Sequence, residues 1–311
     1  MLTFHFNPDI QGFSLAFTPR FFNTLQFQEN QLHTPLFSFY ILDVTEKKIL
    51  GSIFFTRVGD SAFSQPNGPF GGFELDATID EETFVSFHAF FESELKKIGI
   101  SKIKIVEPPD IMMNDISYEP LEKLLELNYS IVVSEINHFI NLDDVTDAGQ
   151  IHQMERRNFR KALAKGYKWK LESADALPEV YSFIERCRHQ NKLLINITYE
   201  DIDKSFRRFP GRYRIFSIRH NGYLAAVTIT VEVNENILYN YLPASDKKYS
   251  TDSPMVFLLV NLYKYAKSLG YQVLDLGVSS VNGKVQTGLA EFKERMGALF
   301  CEKRTLEKKL G

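Results

Sequence analysis

Apolar and polar positions along the chain alternate between a two-residue repeat and a helical repeat. Residues 37–44 and 49–58 predict two strands, because apolar side chains dominate both segments and a charged turn joins them. Residues 81–98 predict a helix, in which apolar side chains recur every three or four positions. Asp80 is placed to cap the first turn of this helix, and Gly99 is placed to end it.

Three further elements complete the first half. Residues 100–106 alternate as a strand and end at two prolines. A short helix over 119–127 and a strand over 129–133 are predicted next. Before the long helix, the paired glycines of residues 69–76 suit a bulge or a close approach of two backbones.

The second half repeats this order of elements. It predicts strands at 213–219, 223–233 and 237–242, a helix at 255–269, a strand at 273–278, a helix at 287–296 and a strand at 299–302. Gly99 and Gly270, which end the two long helices, lie 171 positions apart, and other matching points have similar offsets. We therefore predict an α/β protein with mixed sheets, built from two copies of one unit. The predicted domains are residues 1–145 and 146–311, with a linker near 141–147.

Length and composition fit two folded domains. The 311 residues are 44% hydrophobic and include 27 Phe, which is ample apolar material for two cores. No apolar run approaches the roughly 20 residues that cross a bilayer, and the first residues lack the pattern of a signal peptide. We therefore predict a cytoplasmic protein without a membrane span.

Cysteine and histidine residues predict no metal site. Cys187 and Cys301 are too few for a Cys-based zinc site, and the seven His residues include no pair at metal-ligand spacing. Cys187 and His189 are also unattractive as a nucleophile and its base, because positions two apart on a helix diverge.

Charge is divided unequally between the predicted domains. Residues 1–145 hold 9 Lys and Arg against 21 Asp and Glu, whereas residues 146–311 hold 27 against 18. The densest basic stretch is 156–170, where a helix can bury Phe159 and Leu163 and leave the cations in solvent. The second domain is therefore predicted to meet a phosphate group or a polyanion. Docking of one domain on the other is the alternative explanation.

Familiar catalytic signatures are absent from the sequence. There is no P-loop, no G-x-G-x-x-G, no H-E-x-x-H and no G-x-S-x-G. Chemistry in which the substrate supplies the nucleophile remains, and transfer of an acyl group to an amine is such a reaction. The enzyme then has to orient the amine, remove a proton and stabilise an oxyanion.

Three segments resemble a known group of proteins. They are residues 69–76 (PFGGFELD), residues 157–166 (RNFRKALAKG), and residues 274–277 (LDLG) followed by 288–297 (GLAEFKERMG). The order of elements resembles the GNAT N-acyltransferase fold. The paired arrangement resembles the tandem GNAT group that holds the Fem-type peptidoglycan bridge aminoacyltransferases and the CelD-like acyltransferases. The resemblance implies transfer of an acyl or aminoacyl group to an amine, with coenzyme A or tRNA as the carrier.

The resemblance also implies roles for particular residues. Lys293 matches a lysine that handles the acyl donor in Fem-type enzymes, where its charge would stabilise an oxyanion or a phosphate. Asp76 matches an aspartate near the acceptor site of the family's first domain, where it would accept or orient the proton of the ammonium group. Tyr241 lies on the strand that borders the acyl cleft in GNAT proteins, where a tyrosine would protonate the leaving thiolate. The structural alternatives are a surface ion pair for Lys293, a loop cap for Asp76 and core packing for Tyr241.

Asp275 is a further candidate, because it lies in a strand that should be buried. A buried carboxylate needs a hydrogen-bonded or charged partner. A structural hydrogen bond to a neighbouring backbone group is the alternative to a catalytic role.

Two groups of residues are candidates for binding phosphate. Four arginines flank residues 209–211 and are candidates to clamp a phosphate: Arg207, Arg208, Arg212 and Arg214. Two of them are expected to bind, with Arg208 and Arg212 preferred, and solvated loop charges are the alternative. Ser253 and the N-terminus of the following helix can bind an anion, with Lys247 and Lys248 nearby. The loop that carries them lacks the Gly-rich signature with which single-domain GNAT enzymes bind the diphosphate of coenzyme A.

The sequence therefore predicts a tandem GNAT N-acyltransferase of the Fem or CelD type. The acceptor amine would attack a thioester or ester directly, without a covalent enzyme intermediate. A tRNA-dependent aminoacyltransferase that acts on a cell-wall precursor is one alternative. A catalytically silent relative that binds a carbohydrate or lipid precursor is the other.

Overall fold

The computed structural model describes residues 1–30, 35–64, 68–113, 120–143, 150–191, 195 and 197–311. The chain divides into two compact units. The first unit holds Met1–Glu135 and Glu302–Gly311, and the second unit holds Ile136–Cys301. The predicted start of a helix at 119 and the larger part of the predicted linker lie outside the described residues.

The elements predicted within residues 1–143 occur in the predicted order, together with further short elements that were not predicted. The strands are β1 (Leu2–Phe6), β2 (Ser14–Leu15), β3 (Leu36–Asp43), β4 (Lys48–Val58), β5 (Ser61–Ser64), β6 (Glu74–Leu75), β7 (Lys102–Val106) and β8 (Ser130–Asn141). The helices are α1 (Leu25–Asn30), α2 (Glu81–Lys97) and α3 (Pro120–Glu126), with 3₁₀ helices at Phe21–Asn23 and Asp110–Met112. The predicted ends of α2 are confirmed, because Asp80 accepts a hydrogen bond of 2.8 Å from the Thr83 N–H and Gly99 takes a φ of +77°.

Residues 150–311 form the remaining elements. The strands are β9 (Lys168–Glu172), β10 (Tyr213–His220), β11 (Tyr223–Glu232), β12 (Ile237–Asn240), β13 (Ala244–Ser245), β14 (Val273–Val278), β15 (Ser280–Val281), β16 (Lys284–Val285) and β17 (Leu299–Lys309). The helices are α4 (Gln153–Ala164), α5 (Leu177–Gln190), α6 (Tyr199–Arg208), α7 (Pro254–Ser268) and α8 (Thr287–Arg295), with 3₁₀ helices at Ala174–Ala176 and Lys247–Asp252. None of the described helices combines the length and the apolar character needed to cross a bilayer.

The sheet of the first unit follows the order β1-β3-β4-β5-β7 and is completed by the C-terminal part of β17. Neighbouring strands are antiparallel except β5 and β7, which are parallel and are joined through α2. The buried face of α2 brings Phe91 against Phe39 and Phe55, and Phe87 packs on Phe91 in the same core. The abundance of Phe in the sequence therefore produces an aromatic core.

The sheet of the second unit follows the order β8-β14-β12-β11-β10-β9. Its one parallel pair among these strands is β12 and β14, joined through α7, and the other neighbours are antiparallel. Helix α7 is buried on most sides, as its nearly continuous apolar sequence predicts. Strand order and direction repeat those of the first unit, so the predicted mixed α/β fold with two similar units is confirmed.

Two strands are longer than predicted. The strand predicted at 299–302 continues to Lys309, and residues 305–309 pair with β7. The strand predicted at 129–133 continues to Asn141, and its last residues pair with β14. Pairing with a segment far along the chain leaves no local signal in the sequence. The boundaries of the two compact units therefore differ from the predicted domain boundary at residue 145. With this division the formal charge is −8 in the first unit and +5 in the second.

Helix α4 carries the basic stretch, but its buried face differs from the prediction. Phe159 stacks on Phe257 with their ring centroids 5.0 Å apart, as expected for a buried position. Leu163 is 57% exposed, and Ala162 is the buried residue. The prediction for Leu163 was wrong because a helix turns about 100° per residue, so adjacent positions face different surroundings.

Candidate active site in the second unit

A cavity opens where the parallel strands β12 and β14 separate. Their pairing ends at Tyr239 and Asp275. Beyond this point, residues 239–241 of one strand and residues 276–278 of the other line a cavity of about 860 Å³. Residues of α5, α7 and α8, together with β13, β15 and their connecting segments, complete the lining. A concave, largely apolar cavity with a few convergent polar groups is the usual form of a small-molecule site.

Lys293 of α8 lines this cavity and is almost completely buried. Its Nζ donates hydrogen bonds to the carbonyl oxygens of Gly277 (2.7 Å) and Val278 (3.0 Å). An ammonium group has three donors, so one N–H remains for a ligand. Burial lowers the pKa of Lys293 to about 8, while the nearby Asp275 carboxylate opposes this shift. The structure therefore places the predicted lysine in a cavity, as a cation held by backbone carbonyls.

Asp275 is buried, and its carboxylate accepts a hydrogen bond from the backbone of β14. Its Oδ1 accepts hydrogen bonds from Asn137 Nδ2 (2.7 Å) and from the Gly277 N–H (2.9 Å). The pairing of β14 with β8 is irregular between Asp275 and Gly277. The carboxylate thus satisfies a backbone donor at the irregularity that turns residues 276–278 towards the cavity. Its catalytic role remains a prediction.

At Gly277, the backbone of β14 lies close to the Tyr239 side chain of β12. Its φ is +74°, and a Cβ added to it would lie 3.3 Å from the Tyr239 ring and hydroxyl. A side chain would therefore meet both backbone strain and a rigid ring.

We expect Gly277→Ala to lower the free energy of unfolding by about 1–3 kcal/mol, because the left-handed backbone and the contact with Tyr239 both oppose a Cβ. Gly288→Ala is the matched control, since Gly288 also lines the cavity but has open space around its Cα and lies in α8. Urea denaturation of both variants measures the difference. Equal stabilities would contradict the tight approach at Gly277.

His138 lies close to Lys293 but does not compete with it as a cation. Its Nδ1 is 2.9 Å from Ser279 Oγ, and both side chains are fully buried. Burial, and secondly the charge of Lys293, lowers the pKa of His138. The imidazole is therefore neutral near pH 7.

Tyr241 and Arg188 line the same cavity. Burial raises the pKa of Tyr241 to about 12, although the Arg188 guanidinium opposes the shift. The phenol therefore keeps its proton at neutral pH and is able to donate it. Burial likewise raises the pKa of the Cys187 thiol, another lining group, to about 11, so this cysteine is no thiolate nucleophile.

Arg188 was not a candidate from the sequence. The buried residues of α5 include Ile184, four positions before Arg188, so the helical repeat places this arginine at the edge of the buried face. An arginine at such a position is the signal that could have identified it.

The residues of the predicted anion site before α7 are not among the described residues that line this cavity. Lys247 Nζ donates to the Gln190 carbonyl (3.1 Å), and Lys248 Nζ lies over the Tyr249 ring. Ser253 occupies the N-cap position with a φ of +52°, but its side chain makes no capping hydrogen bond. The adjacent Asp252 accepts a hydrogen bond from Lys165. An anion-binding role for Lys247, Lys248 and Ser253 remains a prediction.

The predicted arginine clamp is engaged in other contacts. Arg212 forms an ion pair of 2.9 Å with Glu232, and Arg208 lies over the Phe209 ring. Neither arginine is among the described residues that line the cavity. Their phosphate-binding role likewise remains a prediction.

Asp76 belongs to the first unit and orders the loop before α2. Its Oδ1 accepts hydrogen bonds from the N–H (3.0 Å) and the hydroxyl of Thr78. This is the loop-capping arrangement that the sequence analysis gave as the alternative for Asp76. The role of Asp76 in accepting or orienting the proton of the acceptor amine stays a prediction. No cluster of three or more His, Cys, Asp or Glu side chains in the described part of the chain could hold a metal ion.

Comparison with known proteins assigns the fold. The family model of the acetyltransferase (GNAT) domain matches residues 152–294. The structure of FemX is similar over 94% of this chain and 93% of that chain, with a TM-score of 0.72 and 13% identity. No curated protein sequence matches the chain.

Two further solved structures have the same fold. L-PGS from Bacillus licheniformis is similar over 84% of this chain and 81% of that chain, with a TM-score of 0.59 and 16% identity. A tandem GNAT protein from the clavulanic acid biosynthesis pathway is similar over 89% and 84%, with a TM-score of 0.56 and 9% identity. Residues 152–294 thus match the acetyltransferase (GNAT) domain. The chain as a whole has the fold of these FemX and tandem GNAT structures.

Proposed function

We propose that the protein is an acyltransferase that moves an acyl group from a coenzyme A thioester to an amine, in the cavity of the second unit. The observation that carries this proposal is the buried Lys293 ammonium group beside the separated strands β12 and β14. The match to the acetyltransferase (GNAT) domain supports the same class of reaction.

The chemistry needs no covalent bond to the protein. The amine nitrogen attacks the thioester carbonyl carbon, the new C–N bond forms, and the C–S bond breaks. The remaining N–H of Lys293 stabilises the negative charge that develops on the carbonyl oxygen. The Tyr241 phenol donates its proton to the departing thiolate and is reprotonated by the proton that the amine loses, directly or through solvent.

The lining of the cavity fits the pantetheine arm and acyl group of such a donor. Met255, Leu259, Leu276 and Phe292 provide apolar surface, and Asn191 and Ser245 provide hydrogen-bonding groups. Lys247 and Lys248, beside the N-terminus of α7, are the residues that would hold the diphosphate.

An aminoacyl-tRNA donor is the second candidate, and the surface of α4 favours it. Arg157 and Arg160 are exposed on this helix, beside the exposed cations Lys161 and Lys165. A surface of this kind suits a nucleic-acid backbone, and binding to it would weaken steeply as salt concentration rises.

Thermal unfolding of the whole chain with coenzyme A, acetyl-CoA and uncharged tRNA tests these proposals. A ligand at 100 times its Kd stabilises a protein by about 2.7 kcal/mol. We expect stabilisation by the CoA compounds that persists at 0.3 M salt. Stabilisation by tRNA alone would favour the second candidate, and no effect of any ligand would favour a protein without acyltransferase activity.

A further inference from the structure

The cavity of the second unit holds two cations and no carboxylate among its described lining residues. The cations are Arg188 of α5 and Lys293 of α8. The other polar groups are neutral, and they include Tyr239, Tyr241 and Gln286. A ligand in this cavity therefore meets a positive electrostatic potential.

The acidic side chains next to the cavity already have donors. Asp275 accepts from Asn137 and from the Gly277 N–H. Asp246, which follows a lining residue, accepts from the Lys248 N–H (2.9 Å) and pairs with Arg186 at 3.3 Å. Asp201 accepts from the Thr198 hydroxyl (2.9 Å). No carboxylate among these lines the cavity, where it would receive an ammonium group of a substrate.

Both cations lie near the Tyr239 side chain. Lys293 binds the Gly277 carbonyl, and Gly277 faces the hydroxyl end of the Tyr239 ring. Arg188 is the cation whose charge acts on Tyr241, and the phenols of Tyr239 and Tyr241 act in turn on Arg188. The cavity thus has one cation that binds the carbonyls of the separated strands and another that lies near Tyr239 and Tyr241.

Resting on the proposed function, we infer that the acyl group itself carries a carboxylate, which Arg188 binds while the reacting carbonyl lies at Lys293. The substrate class is a monothioester of a dicarboxylic acid. A guanidinium group binds a carboxylate through two parallel hydrogen bonds, which fixes the orientation of the acyl chain. An acyl group with a free ammonium group, such as an aminoacyl group, would instead face two like charges.

Three thioether analogues of coenzyme A of equal chain length test this inference. Their S-substituents are 3-carboxypropyl, butyl and 3-aminopropyl, which have four chain atoms each and differ in the terminal group. Binding to the full chain is measured by calorimetry. We expect the carboxypropyl analogue to bind about tenfold more tightly than the butyl analogue, and the aminopropyl analogue about tenfold more weakly.

Variants of α5 assign the preference to Arg188. Arg188→Gln should reduce the advantage of the carboxypropyl analogue over the butyl analogue to less than about threefold. Arg188→Lys, which keeps the charge without the planar fork, should retain part of the advantage. Arg186→Gln is the control, because Arg186 is exposed on the same helix and outside the cavity lining. Circular dichroism confirms that each variant is folded.

The outcomes separate this inference from the proposed function. If all three analogues bind with similar affinity, or if Arg188→Gln leaves the order unchanged, the carboxylate site is wrong and the acyltransferase proposal stands. Tightest binding of the aminopropyl analogue would also overturn the inference and would favour aminoacyl transfer. If neither coenzyme A nor any analogue binds, the proposed function fails and the inference fails with it.

Discussion

Lys293→Met is expected to lower kcat for acyl transfer by about 10²–10³, with a much smaller change in KM. The ammonium group acts on the charge that develops in the transition state, so its loss affects the chemical step more than binding of the ground state. Loss of one oxyanion donor commonly costs this much. Steady-state kinetics with the acyl donor that binds most tightly measures the effect.

A matched control separates catalysis from general loss of charge. Lys264→Met makes the same substitution at an exposed lysine of α7, and we expect it to leave kcat within about twofold. Turnover by Lys293→Met at the rate of the unaltered protein would rule out the catalytic role of Lys293.

The pH dependence of the rate follows from the buried position of this lysine. Because burial lowers the pKa of Lys293 to about 8, the required ammonium form is lost as pH rises through 8. The rate is therefore expected to fall above pH 8. Lys293→Arg keeps a cation at higher pH, so its residual activity should not show this decline. A decline at the same pH in both proteins would assign it to another group, such as the acceptor amine.

The free energy of unfolding should increase over the pH range in which the rate falls, because both depend on the pKa of Lys293. The folded protein releases the Lys293 proton near pH 8, whereas the unfolded chain holds it to about pH 10.5. The unfolded state thus binds more protons between these values, so this residue raises the free energy of unfolding as pH increases from 8 to 10.5. Lys293→Met lacks this dependence, which urea denaturation at pH 7 and pH 9.5 can measure.

The sequence predicts those elements that have a local signal. Helix α2 has a capping residue, a regular apolar repeat and a terminal glycine, and the structure confirms both ends to within one residue. The repeated order of elements similarly predicts two similar units. By contrast, the strand that completes the first unit comes from residues 302–309. No local pattern contains that information, because the partner strand lies about 200 positions earlier in the chain.

The candidate site was predictable only in part for the same reason. Lys293 came from a resemblance over a short segment, and it lines the cavity. Arg188 is missed, since it comes to line the cavity only when α5 packs against β11 and β13. Arg212 illustrates the opposite case, because a basic cluster suggests phosphate binding while the folded chain supplies Glu232 as its partner. A cluster of basic residues therefore indicates that these side chains need anionic partners. It does not tell whether the partner is a ligand phosphate or a carboxylate of the same chain.

The segment that carries Asp76 depends on a buried ion pair in the first unit. Arg20 Nε lies 2.6 Å from Glu74 Oε1, and both side chains are almost completely buried. Arg20 also donates to the carbonyl oxygens of Phe73 (2.6 Å) and Met112 (2.7 Å). The arginine thus fixes the strand residues immediately before Asp76, which links the stability of the unit to the position of the predicted acceptor residue.

Arg20→Met is expected to lower the free energy of unfolding by about 3–5 kcal/mol, because it leaves the Glu74 carboxylate buried without its cation. Burial already raises the pKa of Glu74, and removal of Arg20 raises it further. The protonated acid is less costly to bury, so the variant should lose more stability at pH 8 than at pH 5. Urea denaturation at the two pH values measures both effects.

Removing the partner as well should recover much of this loss. In Arg20→Met with Glu74→Leu, no charge of the pair stays buried, and two apolar side chains of similar size fill the space. We expect a coupling free energy of about 2 kcal/mol or more between the two positions in a double-mutant cycle. Arg57→Met, at an exposed arginine of β4, is the control and should change stability by less than about 1 kcal/mol. Additive losses at positions 20 and 74 would mean that each side chain stabilises the fold through separate contacts, and that the ion pair does not hold the Asp76 segment.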